Sequence, residues 1–464
     1  MPGPASWEGL PPGPRMPLML QQLAWWHRRT PFFERCRARY GSPFTIRMRM
    51  PVQPFVVICK PHQLKEMFHA PPDVLWAGDG SSELFKWFGW PGLTYYEEDE
   101  HLARRKLINR STHGEAMEQI SASVDEVIER ELSSWPRGEP IELFPRFRHL
   151  AVSVVRHVNF GPEPDERLDE LVDLVSDMMA PADNPVSLVE EQYLPPIVLR
   201  LLGAYGPYRR LMQNRGRIDQ ILYEVIDERR GASGGDRQDT LSVLLAAENE
   251  DGSPISSLEI RNELMTNFVA GSATTSAGMA WSIDHVARHD AVRRRLVDEI
   301  EAGEDDAYLT ATVQEVLRRR PPLPFAIPRL VVKPFELDGW RLPPGVRIWA
   351  NGHLVHHDPE IYPDPYAFRP ERFLENKPTP TTWMPFGGGR RACLGKGIAE
   401  LEMKAVLRTI FQRFEVRPDG PEPELRRSFL AVNRPSRGAR VVLTERSPGA
   451  APPRGEAAYS ASPA

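Results

Sequence analysis

The sequence predicts a mainly α-helical protein with small β-sheets, folded as one large unit with a β-rich minor lobe. Three observations predict it. A capped helical pattern runs from Ser256 to about His289, long enough to cross a whole molecule. Strand-like stretches are few and short. A glycine loop at 387–389 opens into a final long helix at roughly 394–413.

Taken in order, the chain starts with a Pro-rich extension, 1–29, in which Leu10 to Arg15 is stiff and extended. Phe44 to Met48 alternates as a half-buried strand, and Phe55 to Ile58 reads as its buried neighbour. Helical patterns dominate from Glu97 to Leu201, as at Ile120 to Leu132 and Leu168 to Met179. A Pro- and Gly-bearing connection covers 181–207. A helix then runs to Arg230 and is broken by Gly231 to Gly235. Ser256-Ser257-Leu258-Glu259 fits a capping box that starts the long helix. A shorter helix, Asp306 to Arg319, stops at Pro321-Pro322. Strand-like pieces and Pro turns fill 323–385, and short strands near 429–432 and 439–444 close the domain, set at 30–445. The remainder, 446–464, is rich in Ala, Pro, Gly and Ser and is expected to be disordered.

A net charge of −5 over 464 residues gives nucleic acid and anionic membrane no global attraction. Three cysteines, Cys36, Cys59 and Cys393, make no disulfide framework and suit a reducing compartment. No apolar run is long enough to span a bilayer and no signal peptide is visible. The expectation is a cytoplasmic protein without a membrane anchor.

Chemistry concentrates in Phe386-Gly387-Gly388-Gly389-Arg390-Arg391-Ala392-Cys393-Leu394-Gly395. Glycines let backbone turn sharply and approach a flat ligand. A cysteine at the start of a helix meets unpaired N–H groups and the positive dipole end, which favour thiolate over thiol. A thiolate is what a soft, electron-donating iron ligand requires.

This run resembles the haem-binding signature of the cytochromes P-450, matched here by Phe386, Gly389, Arg391, Cys393 and Gly395. The resemblance covers about 30–445 and implies the cytochrome P-450 fold, a long central helix over haem b with Cys393 as axial iron ligand. Glu315 and Arg318, three apart on one helix face, together with Arg372 of Pro370-Glu371-Arg372-Phe373, resemble the family's Glu–Arg–Arg lock behind the haem. His101 and Arg105, four apart, with Arg329 and Arg391, match residues that meet the haem propionates. Arg104 and Lys106 are read as a solvated basic face.

Ala270-Gly271-Ser272-Ala273-Thr274-Thr275 lies midway along the long helix. Small residues there have a bland explanation, close helix packing. The resemblance implies more: Gly271 and its neighbours open a groove for dioxygen, and Thr274 helps deliver protons. The family commonly has Asp or Glu just before that Thr, and here stands Ala273. The missing acid leaves Ser272, Thr275, water or a substrate hydroxyl as substitutes.

The resemblance further implies a monomeric monooxygenase similar to soluble, actinobacterial-like members. It would hydroxylate or epoxidise a lipophilic small molecule such as a terpenoid, steroid, fatty acid or polyketide. Pocket walls map to 85–96, 178–208, 268–275, 323–327 and 429–432. Electrons would come from a separate ferredoxin and ferredoxin reductase, guided by Arg104, Lys106, Arg110, Arg390, Lys396 and Lys404. The alternatives are atypical haem-thiolate chemistry (peroxide-driven oxidation, coupling or rearrangement), suggested by Ala273, and a non-catalytic haem protein.

Overall fold

A computed structural model describes residues 9–49, 52–79, 92–179, 206–231, 237–249, 252–429 and 432–446. Expectations for the aromatic run at 85–90, the 181–205 connection, the 232–236 break and the tail from Ser447 fall outside these residues.

The minor lobe forms first in the chain. Helices α1 (Leu18–His27) and α2 (Arg29–Tyr40) precede strands β1 (Phe44–Arg49) and β2 (Val52–Ile58). The two strands pair antiparallel with Phe44 opposite Val57, as the alternation predicts. After α3 (Pro61–His69) comes the short β3 (Leu75–Trp76). Phe44, Ile46, Val56, Val57 and Ile58 are buried in one apolar cluster under the sheet. The segment read as an extension is pinned to that sheet from Pro11 onward. Thr45 N–H donates to the Pro12 carbonyl at 3.0 Å. A Cβ on Gly13 would collide with the Thr45 carbonyl, so only glycine passes there. Buried Gln21 donates to the Pro14 and Met16 carbonyls and accepts from Arg47 N–H.

The major lobe is helical. It contains α4 (Glu98–Ile108), α5 (Glu115–Ser133), the short strand β4 (Pro140–Glu142), α6 (Leu143–Phe160) and α7 (Glu166–Met179). Then follow α8 (Gly206–Gly231), α9 (Thr240–Leu245), α10 (Ser257–Arg288), α11 (Asp290–Ala302) and α12 (Ala307–Arg319). Helix α10 is the expected long helix, 32 residues, and its capping box is present: Ser256 Oγ accepts from Glu259 N–H while the Glu259 carboxylate accepts from Ser256 N–H. It is buried around most of its circumference rather than along one stripe. Trp281, at its C-terminal end, is fully buried and donates to the Asn433 carbonyl.

The chain then returns to the minor lobe through β5 (Arg329–Val331), β6 (Phe335–Leu337), β7 (Trp340–Leu342) and β8 (Arg347–Ala350). These complete a five-stranded sheet of order β1-β2-β8-β5-β3 and a separate β6–β7 hairpin. Short helices α13 (Gly352–His356) and α14 (Glu371–Glu375) lead to α15 (Lys396–Arg413). Last come β9 (Phe414–Pro418), β10 (Arg426–Phe429), β11 (Val432–Pro435) and β12 (Arg440–Glu445). Gly278 of α10 lies against Met403 of α15, where an added Cβ would stand 3.0 Å from the sulfur. That close approach sets the spacing between the central helix and the helix that follows the cysteine loop.

Candidate active site

The cysteine loop is shaped by its glycines. Gly387 and Gly389 have φ of +67° and +65°, a region costly for any other residue. A Cβ on Gly388 would strike the Phe68 ring, and one on Gly389 the Phe68 carbonyl. The loop closes on itself through Cys393 N–H to the Phe386 carbonyl at 2.9 Å. Phe386 packs edge-on against Trp383, 5.9 Å between ring centroids, and Trp383 is tied to α12 by its N–H to the Gln314 carbonyl.

Cys393 itself departs from the expectation. Helix α15 begins at Lys396 with Gly395 as its N-cap, so the cysteine precedes the helix rather than starting it. Burial pushes its pKa up; N–H groups of Gly395 and Lys396 and the charge of Arg105 pull the other way but do not win. Protein atoms crowd Cys393, yet it retains accessible surface. Both facts describe a side chain on the wall of an interior space.

The lock behind this loop assembles as expected. Glu315 and Arg318 are wholly buried and paired in bidentate fashion at 2.7 and 2.9 Å. Arg372 Nε reaches the same carboxylate at 3.1 Å, and Arg369 N–H adds a third donor. Residue His356, which no sequence signal marked, completes the junction. Its Nδ1 side meets the Arg318 carbonyl at 3.1 Å and Met384 N–H donates to Nε2 at 3.0 Å, which assigns the neutral Nδ1–H tautomer. Burial lowers its pKa to about 3.

On the other side of the loop, His101, Arg105, Arg329 and Arg391 converge: the charges of Arg391, Arg105 and Arg329 all act on His101. Burial first, then these neighbours, drop the His101 pKa to about 3. Desolvation and the three neighbouring cations disfavour a charged imidazole at this position. Arg329 is buried, held by the Ile327 carbonyl at 2.6 Å, and its pKa falls to about 9. Neither Arg105 nor Arg329 forms an ion pair among the described residues. Arg391 pairs with Glu97 at 2.6 Å and donates to the Tyr96 carbonyl at 2.5 Å. Glu97 was also missed from sequence, because one more acid at a helix start looks like ordinary dipole compensation.

Arg104 is not solvated. It is buried, pairs with Glu259 at 2.9 Å and lies 3.8 Å from Glu263, with the Tyr96 ring 5.4 Å away. Its helix face turns toward α10, which removes it from any docking patch.

Along α10 the small residues divide. A Cβ on Gly271 would stand 2.7 Å from Val155 of α6, so this glycine allows close helix packing there, and like Ala273 it keeps partial exposure. Ser272 and Thr275 are buried; Ser272 Oγ has no hydrogen-bond partner among the described residues. Ala273 and Thr274 keep partial exposure within this otherwise buried helix. Thr274 Oγ1 donates to the Ala270 carbonyl at 2.6 Å. Two expected wall residues belong to the core instead: Phe268 packs on Phe160, and Phe325 packs on Trp349 at 4.7 Å.

A family model described as Cytochrome P450 matches residues 10–441. The chain belongs to the cytochrome P450 family. It is 31% identical to putative cytochrome P450 138 of Mycobacterium tuberculosis, over 94% of this chain and 97% of that protein. Putative cytochrome P450 137 of the same species is 33% identical over 87% and 83%. Among solved structures, the retinoic acid-bound cyanobacterial CYP120A1 superposes with a TM-score of 0.78 at 21% identity, covering 94% of this chain and 99% of that one.

As a cytochrome P450 the protein is a haem-thiolate monooxygenase, an oxidoreductase of a family that typically draws electrons from redox partners. The residues fit a haem. Three arginines gather around His101, and of these Arg391 alone forms an ion pair among the described residues, with Glu97, which leaves positive charge for anionic propionates to neutralise. Beside them stands a soft sulfur donor with two N–H groups directed at it. Among the described residues, no helix is long and apolar enough to cross a membrane.

Proposed function

We propose that this P450 inserts one oxygen atom from dioxygen into a lipophilic small molecule, by hydroxylation or epoxidation, with haem b held through Cys393. The observation that carries this is the convergence of Cys393 with Arg105, Arg329 and Arg391. When bound, haem supplies the reductive activation of dioxygen. Cys393 donates its sulfur to the iron, while Gly395 and Lys396 N–H groups stabilise the anion. Arg105, Arg329 and Arg391 bind the propionates, and His101 adds a neutral N–H donor. The Phe386, Gly389 and Gly395 positions would shape the loop that offers the Cys393 sulfur to a haem iron.

Thr274 relays a proton. Its hydroxyl hydrogen is spent on the Ala270 carbonyl, so it accepts a hydrogen bond at Oγ1 and releases a proton by turning from that carbonyl. Ala273 offers no acid, and Ser272 and Thr275 are both buried away from the exposed edge of the helix. Water or a substrate hydroxyl is therefore the proton source. That same absence supports the second reading, atypical haem-thiolate chemistry in which no such source is needed. Product from peroxide alone, set against product from a ferredoxin, its reductase and dioxygen, separates the two.

The substrate is apolar: Leu323 and Ile327 keep partial exposure beside the minor lobe, and the cyanobacterial structural neighbour was solved with retinoic acid. Electrons come from a separate ferredoxin and its reductase. Exposed Lys106, Arg110, Arg390 and Lys396 support docking of an acidic partner, whereas Lys404 is engaged with Asp306. The protein acts as a cytoplasmic monomer.

The decisive test is the carbon monoxide difference spectrum of reduced protein. The red-shifted band of thiolate ligation is expected, and Cys393→Ala removes it. Its persistence in that variant would reject Cys393 as the ligand.

A further inference from the structure

Glu97 touches every segment that carries the propionate-side groups. Its backbone carbonyl accepts His101 N–H at 3.0 Å and so begins the helix bearing His101 and Arg105. Its carboxylate accepts N–H groups of Ala77 at 3.1 Å and Asp79 at 2.9 Å, at the end of β3. Strand β3 pairs with β5, which starts at Arg329. The third partner is Arg391 of the cysteine loop, at 2.6 Å. One residue thus ties α4, through its carbonyl, to the end of β3 and the cysteine loop, through its carboxylate.

The charges around it form a count. Arg105, Arg329 and Arg391 contribute three positive charges, and Glu97, ion-paired with Arg391, contributes one negative charge. Two positive charges remain, the number that a haem's two propionates neutralise. Among the described residues Glu97 is the carboxylate that pairs with Arg391, and neither Arg105 nor Arg329 has an ion-pair partner.

We propose that Glu97 is a positioning residue of the propionate site: it aims Arg391 and trims the local charge to match two propionates. This rests on the haem-thiolate assignment. A glutamine at 97 keeps the size and one of the two acceptor oxygens used by Ala77 and Asp79 but deletes the charge; an alanine deletes all three.

The test uses haem-loaded protein. In Glu97→Gln the reduction potential moves upward, because an added net positive charge favours the ferrous state. In Glu97→Ala, haem transfer to apomyoglobin accelerates by about tenfold, the scale for loss of an outer-shell partner. Glu100→Gln, which removes an exposed carboxylate one turn along, changes neither quantity. Unaltered potential and transfer rate in both Glu97 variants overturn the proposal while the haem assignment stands. A wild-type protein that takes up no haem overturns that assignment, and the proposal with it.

Discussion

Two groups of charges flank the cysteine loop, and they are finished to different degrees. At the Glu315–Arg318–Arg372 junction both arginines pair with one carboxylate inside the chain, and His356 supplies the last donor and acceptor. At the His101–Arg105–Arg329–Arg391 cluster, Arg391 alone of three cations is ion-paired among the described residues, with Glu97. A buried ion pair completed within the protein holds segments together; buried cations left in excess are stable only against a ligand. The same residue type therefore plays a structural part on one side of the loop and a binding part on the other.

The largest effect should follow from opening the finished junction. Glu315→Gln leaves Arg318 and Arg372 buried without a counter-charge, at a cost of about 3–5 kcal/mol in folding stability. Denaturant unfolding measures it, and a loss under about 1 kcal/mol would show that the junction is not the anchor its burial suggests.

Opening the unfinished cluster should read out differently. Arg329→Ala removes one propionate partner and should speed haem loss about ten- to a hundredfold, followed by transfer to apomyoglobin. Global unfolding should change far less than in Glu315→Gln, because a like charge leaves the cluster at the same time. Equal losses of stability in the two variants would erase the distinction.

A third site, without charge, calibrates both. Gly271→Ala forces a methyl against Val155, and overpacking of this kind costs about 1–3 kcal/mol. Oxygen consumption coupled to product should be retained if Gly271 serves helix packing alone.

The smallest effect concerns pH. Within the fold His356 stays neutral down to about 3, while in the unfolded chain it protonates below about 6.5. Acid thus favours unfolding from pH 6.5 downward, and above 6.5 the term is constant. His101 acts in the same direction. Glu263, raised to about 7 chiefly by burial, acts oppositely, losing stability as pH rises from about 4.5 toward 7. The informative quantity is therefore a difference: melting temperature should fall less steeply between pH 6.5 and 5 in His356→Gln than in the unaltered protein.

Local signals made much of this legible in the sequence. The capping box marked the start of α10 because its donors and acceptors lie within three residues, and the apolar patterns marked β1 and β2 as neighbouring strands, although Thr45 is buried along with Phe44 and Ile46. The loop glycines and Cys393 were readable for the same reason, their spacing being itself the chemistry. Tertiary structure decided everything that depends on which face meets which. It turned Gly271 toward Val155, buried Arg104 against Glu259, and placed Phe268 and Phe325 in the core. It also set the burial that raises the Cys393 pKa and that, together with three neighbouring arginines, lowers that of His101. Glu97 and His356 escaped notice because their partners lie far along the chain, at Arg391 for one and at Arg318 and Met384 for the other. Pairings over such separations exist only after the chain has closed, and no pattern of neighbours along the sequence encodes them.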